Sequence, residues 1–300
     1  MDLSVNIAGV TLNNPITTAS GTFSAHDSST FYDLNELGAM ITKGVANVPW
    51  EGNETPRIAE TYGGMINAVG LQNAGIDSFI KDELPFINKF DTKVIVNVAG
   101  RTIEDYCEVA EKLNDTNVDL LEINVSCPNV KKGGIGFGTD PKLAAQVTKE
   151  VKKVCKKPII VKLTPNVTDI TEIAKAVEAE GADAISLINT LLGMKIDVHR
   201  RKPVLANVMG GFSGPAIKPV AVRMVYQVRR AVNVPIIGLG GIMTGEDVVE
   251  FILAGADAVS IGTAVFANPT APVDIKNELI NYMEKYNFKD LKSLRDSFNM

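Results

Sequence analysis

With only three cysteines and two histidines in 300 residues, the chain is poor in soft metal ligands. Cys107, Cys127 and Cys155 are too few and too scattered for a disulfide framework, and His26 and His199 supply no zinc-type spacing, so no metal site is expected. Basic runs are missing as well. Lys plus Arg number 30 against 35 Asp plus Glu, a net charge of −5, which argues against a surface that tracks nucleic acid. No apolar stretch is long enough to span a bilayer, Val234–Met243 being a typical one, and the first residues show no basic segment followed by a long apolar one. A cytosolic protein with a small ligand and no membrane or nucleic-acid partner is the expectation. A Gly-x-Gly-x-x-Gly fingerprint after an early strand is also lacking. In Gly238-Leu239-Gly240-Gly241-Ile242-Met243 a methionine stands at the third glycine position, so a Rossmann-type dinucleotide site is not supported.

What is present is a 45% apolar composition and a regular alternation of short β-branched runs with helix-period segments. That alternation means a parallel sheet. Strands are expected at Ile16–Ala19, Met40–Lys43, Val94–Val98, Leu120–Asn124, Ile159–Leu163, Ala184–Ile188, Ile236–Leu239 and Ala258–Ile261. Helices are expected at Ser29–Leu37, Ile76–Asn88, Ile103–Leu113, Pro141–Cys155, Ile170–Glu180, Pro219–Ala231, Glu246–Ala254 and Val273–Lys285. Eight of each suggest a closed (β/α)₈ TIM barrel filling residues 1–300 as a single domain, with an open doubly wound sheet as the alternative. A faint repeat agrees: Gly181-Ala182-Asp183-Ala184 recurs as Gly255-Ala256-Asp257-Ala258, each copy a helix end, a turn and a buried strand. An opening hairpin, Leu3–Ile7 with Val10–Leu12, could plug the barrel bottom.

Two connections, Gly44 to Gly75 and Asn189 to Lys218, are too long for simple turns, and both leave strand C-termini, where barrel active sites are built. Polar residues collect at those same ends: Lys43, Asn97, Asn124, Lys162 and the Asn189-Thr190 pair. A lysine within an apolar strand asks for an anionic or electron-rich partner, either a ligand or a structural ion pair. Gly240-Gly241 and Gly262-Thr263 follow the seventh and eighth strands, the usual place of the barrel phosphate site, and Gly214 lies in the preceding long loop. Together they favour a phosphate-bearing cofactor over ordinary turn glycines. Asn124-Val125-Ser126-Cys127-Pro128-Asn129, followed by Gly133-Gly134-Ile135-Gly136-Phe137-Gly138, puts a thiol directly after a strand and before a Gly-rich loop. A lone cysteine is more often a packing residue, which is how Cys107 and Cys155 read. The amides of Asn67, Asn124, Asn129 and Asn189 suit a flat heterocycle that alternates N–H and C=O groups, or else ordinary turns and caps.

These segments, with Thr18-Ala19-Ser20-Gly21-Thr22, Thr42-Lys43-Gly44, Asn67-Ala68-Val69-Gly70-Leu71-Gln72-Asn73 and Lys162-Leu163-Thr164-Pro165, closely resemble the class 1 dihydroorotate dehydrogenases over essentially the whole chain. The stretch from Asn189 to Met194, then Arg201 to Asn207 and Gly210 to Pro215, is similar to the NAD-linked 1B subclass rather than to its fumarate-linked relatives. One departure is Ser24–Thr30, shorter and more polar than the family pattern. The resemblance implies an FMN barrel that oxidises (S)-dihydroorotate to orotate in pyrimidine biosynthesis. Cys127 would take a proton from C5 while hydride leaves C6 for flavin N5. Lys162 would stand near flavin N1 and O2, where its charge stabilises the reduced ring. Lys43 and the turn Asn67, Ala68, Val69, Gly70 and Leu71 would hold substrate, with Asn124, Asn129, Asn189 and Thr190 completing the orotate contacts. Ser20, Lys43, Gly44, Asn97, Asn124, Ile188 and Gly214 would line FMN, and Gly240, Gly241, Gly262 and Thr263 would take its phosphate end.

Three cysteines cannot ligate an iron–sulfur cluster that needs four thiolates. The 1B resemblance therefore implies a partner subunit with FAD and a [2Fe–2S] cluster, assembled as a heterotetramer around a homodimer of this chain. The rival readings are another flavin-dependent pyrimidine reductase or dehydrogenase, a fumarate-linked class 1 enzyme, and a noncatalytic FMN-binding scaffold.

Overall fold

The computed structural model describes residues 1–126 and 136–299. Cys127 and Asn129 lie outside the described residues, as do Gly133, Gly134 and Ile135. Eight parallel strands close into a barrel in chain order: β1 Ile16–Thr18, β2 Ala39–Ile41, β3 Lys93–Val98, β4 Leu120–Asn124, β5 Ile159–Lys162, β6 Ala184–Leu187, β7 Ile236–Leu239 and β8 Ala258–Ile261. Val259 of β8 pairs with Ile16 of β1, which seals the ring. The strands are buried on both faces, as a sheet covered by helices outside and packed with side chains inside must be.

The hairpin forms from Val5–Ile7 and Val10–Leu12. Ile7 and Leu12 pack against the inward side chains at the strand starts, among them Ile41, Ile95, Leu120, Ile160 and Ile237, so the bottom of the barrel is closed with apolar volume. The outer helices bury their apolar stripes in one continuous core. Their ends follow capping chemistry. Thr102 with Asp105 and Thr244 with Asp247 form reciprocal capping boxes, each contributing about 1 kcal/mol.

Most helices match expectation to within two residues at each end. The segment Ile76–Ile87 is broken by a π turn at Phe79–Glu83. The expected helix at Ser29–Leu37 is absent. The Ser29 and Thr30 hydroxyls fold back onto the carbonyls of His26 and Asp27, ending a single turn at Ala25–Ser28 that Ser24 caps, and Asp33 starts a separate 3₁₀ turn at Leu34–Glu36. Two short helices, Ala264–Ala267 and Leu291–Asp296, were not anticipated. Among the described residues no helix is long and apolar enough to cross a membrane.

Candidate functional site

The two long connections combine into one four-stranded antiparallel sheet over the strand C-termini, in the order Leu191–Met194, Met209–Ser213, Gly64–Asn67, Ile58–Thr61. The middle pairing joins residues far apart in the chain, Asn67 opposite Gly211 and Ile66 opposite Phe212. Asn67 Nδ2 donates to the Gly211 carbonyl at 3.3 Å. A Cβ on Gly211 would collide with Thr190 Oγ1, so this glycine brings Asn67 and Thr190 to one place.

Below them, the ends of β4 and β6 form a polar chain. Asn189 Nδ2 donates to Ser126 Oγ at 2.6 Å, and Ser126 Oγ donates to Asn124 Oδ1 at 2.7 Å. The Asn124 carbonyl accepts from the buried Tyr106 hydroxyl at 2.9 Å, which pins the strand end immediately before the Cys127 segment. Ile188, joined to Leu187 by a cis peptide, packs beneath Gly240.

One layer deeper, Lys162 and Glu122 form a buried ion pair, Nζ 3.6 Å from Oε2, with side chains 5% and 0% exposed. Asn97 Nδ2 donates to Glu122 Oε2 at 2.5 Å and Ser186 Oγ to Oε1 at 2.7 Å. The partner that Lys162 demands is thus a protein carboxylate, and removing either member of such a buried pair costs about 3–5 kcal/mol. Lys43 differs. It lies two residues beyond β2, its Nζ near Gly21, and among the described residues no ion pair or hydrogen bond reaches its ammonium. Burial pushes its ammonium below the usual lysine range.

The turn from Asn67 to Leu71 is built by three side chains outside the expected set. Asn53 takes the Ala68 carbonyl at 2.9 Å, Asn73 Nδ2 donates to the Leu71 carbonyl at 2.8 Å, and Arg57 clamps the Asn53 carbonyl and, at 2.7 Å, Gln72 Oε1. Gly70 sits at φ +77°, where a side chain would be strained, and a Cβ there would fall 2.6 Å from Asn53 N. Leu71 reaches back toward Gly44, whose neighbour on the other side is Asn97 Oδ1.

At the far side of the mouth, Gly214, Gly240, Gly241, Gly262 and Thr263 gather between β7 and β8. A Cβ on Gly241 would fall 2.8 Å from the Gly214 carbonyl, and Thr263 Oγ1 donates to Ser213 Oγ at 2.8 Å. Ser20 lies in the loop after β1, and Ala19 packs beside Gly262. A flavin nucleotide fits these residues on two counts. Asn97 Oδ1 is buried with no hydrogen-bond partner among the described residues, an acceptor left for a ring N–H, and the β7/β8 end offers bare backbone where a phosphate would sit. Among the described residues no cluster of His, Cys, Asp or Glu is placed to hold a metal ion. Cys107 and Cys155 lie in or at the end of outer helices, and burial pushes both thiols above the usual range, consistent with packing.

The motifs do not point to Glu122, yet an acid inside Leu120-Leu121-Glu122-Ile123-Asn124 is as anomalous as the lysine in β5. Ser126, Ser186, Asn53 and Arg57 carry no such signal, because their partners are set only by the fold.

Comparison with known proteins gives one answer. A family profile described as Dihydroorotate dehydrogenase matches residues 2–283. A protein of Alkaliphilus metalliredigens (strain QYMF) named dihydroorotate dehydrogenase B (NAD(+)), catalytic subunit, is 67% identical over 298 residues, 99% of each chain. Proteins of the same name from Alkaliphilus oremlandii (strain OhILAs) and Geobacter sp. (strain M21) are 63% and 56% identical, each covering 98% of this chain and 97% of its own.

Proposed function

Because this chain belongs to the dihydroorotate dehydrogenase family, we propose that it oxidises (S)-dihydroorotate to orotate in pyrimidine biosynthesis, as the FMN-bearing catalytic subunit of an NAD⁺-linked enzyme of the cytoplasm. The observation that carries the substrate assignment is Lys43. It is a partly buried ammonium without a counter-charge among the described residues, placed at the same barrel mouth as the amides of Asn124 and Asn189. A dihydropyrimidine that carries a carboxylate supplies both the missing anion and the imide edge those amides match.

Asn67, Asn124, Asn129, Asn189 and Thr190 hold the ring, and the turn from Ala68 to Leu71 covers it, stiffened by Asn53, Arg57 and Asn73. FMN, when bound, supplies the electron sink that takes the hydride from C6. Cys127 receives the C5 proton, and the chain that fixes Asn124 and Ser126 sets the point from which the Cys127 segment departs. Ser20, Gly44, Asn97 and Ile188 hold the flavin ring, with Lys162 near the position where reduction places negative charge. Gly214, Gly240, Gly241, Gly262 and Thr263 take the phosphate. Electrons leave through a partner subunit with FAD and a [2Fe–2S] cluster, around a homodimer of this chain.

Anaerobic addition of dihydroorotate to the purified flavoprotein tests the reading. The flavin absorbance should bleach with dihydroorotate and stay unchanged with dihydrouracil, which lacks the carboxylate. Bleaching by both would favour a general pyrimidine dehydrogenase, and bleaching by neither a noncatalytic scaffold.

Lys43 also sets a pH dependence. An anionic ligand binds the charged ammonium, and burial lets that charge go at lower pH than for an ordinary lysine. Orotate affinity should therefore be flat through neutral pH and weaken as pH climbs through the depressed Lys43 value. The orotate-induced flavin spectral shift, titrated at successive pH values, reads this. Lys43→Ala should bind weakly throughout and lose the alkaline decline, so persistence of that decline in the variant would assign it to another group.

A further inference from the structure

Glu122 has no place in the mechanism above, yet three strands converge on it. It is fully buried and points inward from the middle of β4, on the same face as Leu120 and Asn124. Asn97 from β3 and Ser186 from β6 each donate to one carboxylate oxygen, at 2.5 and 2.7 Å, and Lys162 from β5 stands 3.6 Å away. A carboxylate can only accept, so Asn97 must turn its Nδ2 toward Glu122. Its Oδ1 is then left buried and, among the described residues, unpartnered, beside Gly44. Buried ion pairs add little net stability over apolar packing, so the consequence of this one lies in what it orients.

We propose that Glu122 is a positioning residue for the flavin: it locks the Asn97 amide so that Oδ1 is presented to a ring N–H, and it holds Lys162 in place while partly offsetting its charge. The assignment rests on the reading that this site binds FMN. Through Lys162, Glu122 sets how strongly the protein favours the reduced, anionic ring. Through Asn97, it sets how tightly the oxidised ring is held. A purely structural ion pair would move neither quantity.

The test is a double-mutant cycle on the holoenzyme, with FMN content, FMN dissociation constant and two-electron midpoint potential as readouts. Lys162→Ala should lower the potential. Glu122→Gln, nearly isosteric, should raise it, because the Lys162 charge is no longer offset. It should also weaken FMN binding by about tenfold to a hundredfold, since a carboxamide no longer dictates which way Asn97 faces. In the Lys162→Ala background the same Glu122→Gln change removes the same negative charge but has no ammonium to release, so it should raise the potential roughly twice as much or more, the sign of a part that acts through Lys162. Equal shifts in both backgrounds would make Glu122 a direct field and overturn the positioning role through Lys162. A potential that falls or stays put would overturn it as well, as would wild-type FMN affinity. If Glu122→Gln does not fold, Ser186→Ala frees one carboxylate oxygen without removing the charge, and it should weaken FMN binding in the same direction. Unchanged affinity in that variant would refute the proposal. A wild-type protein that holds no FMN at all would instead refute the functional reading on which it rests.

Discussion

Cys127→Ser should retain FMN and slow its reduction by dihydroorotate by about 10²- to 10⁴-fold near neutral pH, the range a positioned general base contributes. Serine preserves shape and hydrogen bonding but is a far weaker base than a thiolate, whose parent thiol ordinarily titrates near pH ~8.5. The wild-type reductive half-reaction should accordingly accelerate as pH rises, until the thiol is ionised, whereas the serine variant should lack a limb in that range. Stopped-flow reduction of the oxidised flavin under anaerobic conditions measures both. Near-normal rates in Cys127→Ser would move the base elsewhere at the barrel mouth. The neighbouring Ser126 is already engaged, donating to Asn124 and accepting from Asn189, and is a poor substitute.

A second large effect concerns the electron acceptor. Alone, the chain should take electrons from dihydroorotate onto FMN and yet reduce NAD⁺ slowly or not at all. The 300 residues hold no dinucleotide fingerprint and only three thiols, fewer than the four an iron–sulfur cluster needs, and two of the three lie in or at the end of outer helices. Adding the cysteine-rich partner subunit should restore NAD⁺ reduction, monitored at the nicotinamide absorbance band. Rapid NAD⁺ reduction by the single chain, or efficient use of fumarate, would break the subclass assignment while leaving the dihydroorotate chemistry intact.

The barrel was legible in sequence because each of its strands is a short apolar run fenced by turns and each helix an amphipathic segment, so local pattern and tertiary role agree. The plug hairpin was legible for the same reason. The helix expected at Ser29–Leu37 failed because serine, threonine and aspartate side chains compete for the backbone there. At the site, Lys43, Asn97, Asn124, Lys162 and the glycines after β7 and β8 could be placed from their positions at strand ends. The partner of Lys162 could not, because which two strands face each other inside the ring depends on closure and register. The antiparallel sheet over the mouth was equally hidden. Its strands are four or five residues long and several carry glycine, and the central pair joins segments nearly half the chain apart.

That sheet makes the two long connections a single unit of inheritance. Gly64–Asn67 and Met209–Ser213 exchange main-chain hydrogen bonds, and Gly211 leaves room only for the Thr190 side chain it meets. A connection transplanted alone from a distant relative would meet a strand edge cut for a different register, and a slip of one residue there would turn Asn67 to the opposite face. Redesign of what this barrel accepts therefore has to move both segments together, as one cassette spliced at two places in the gene.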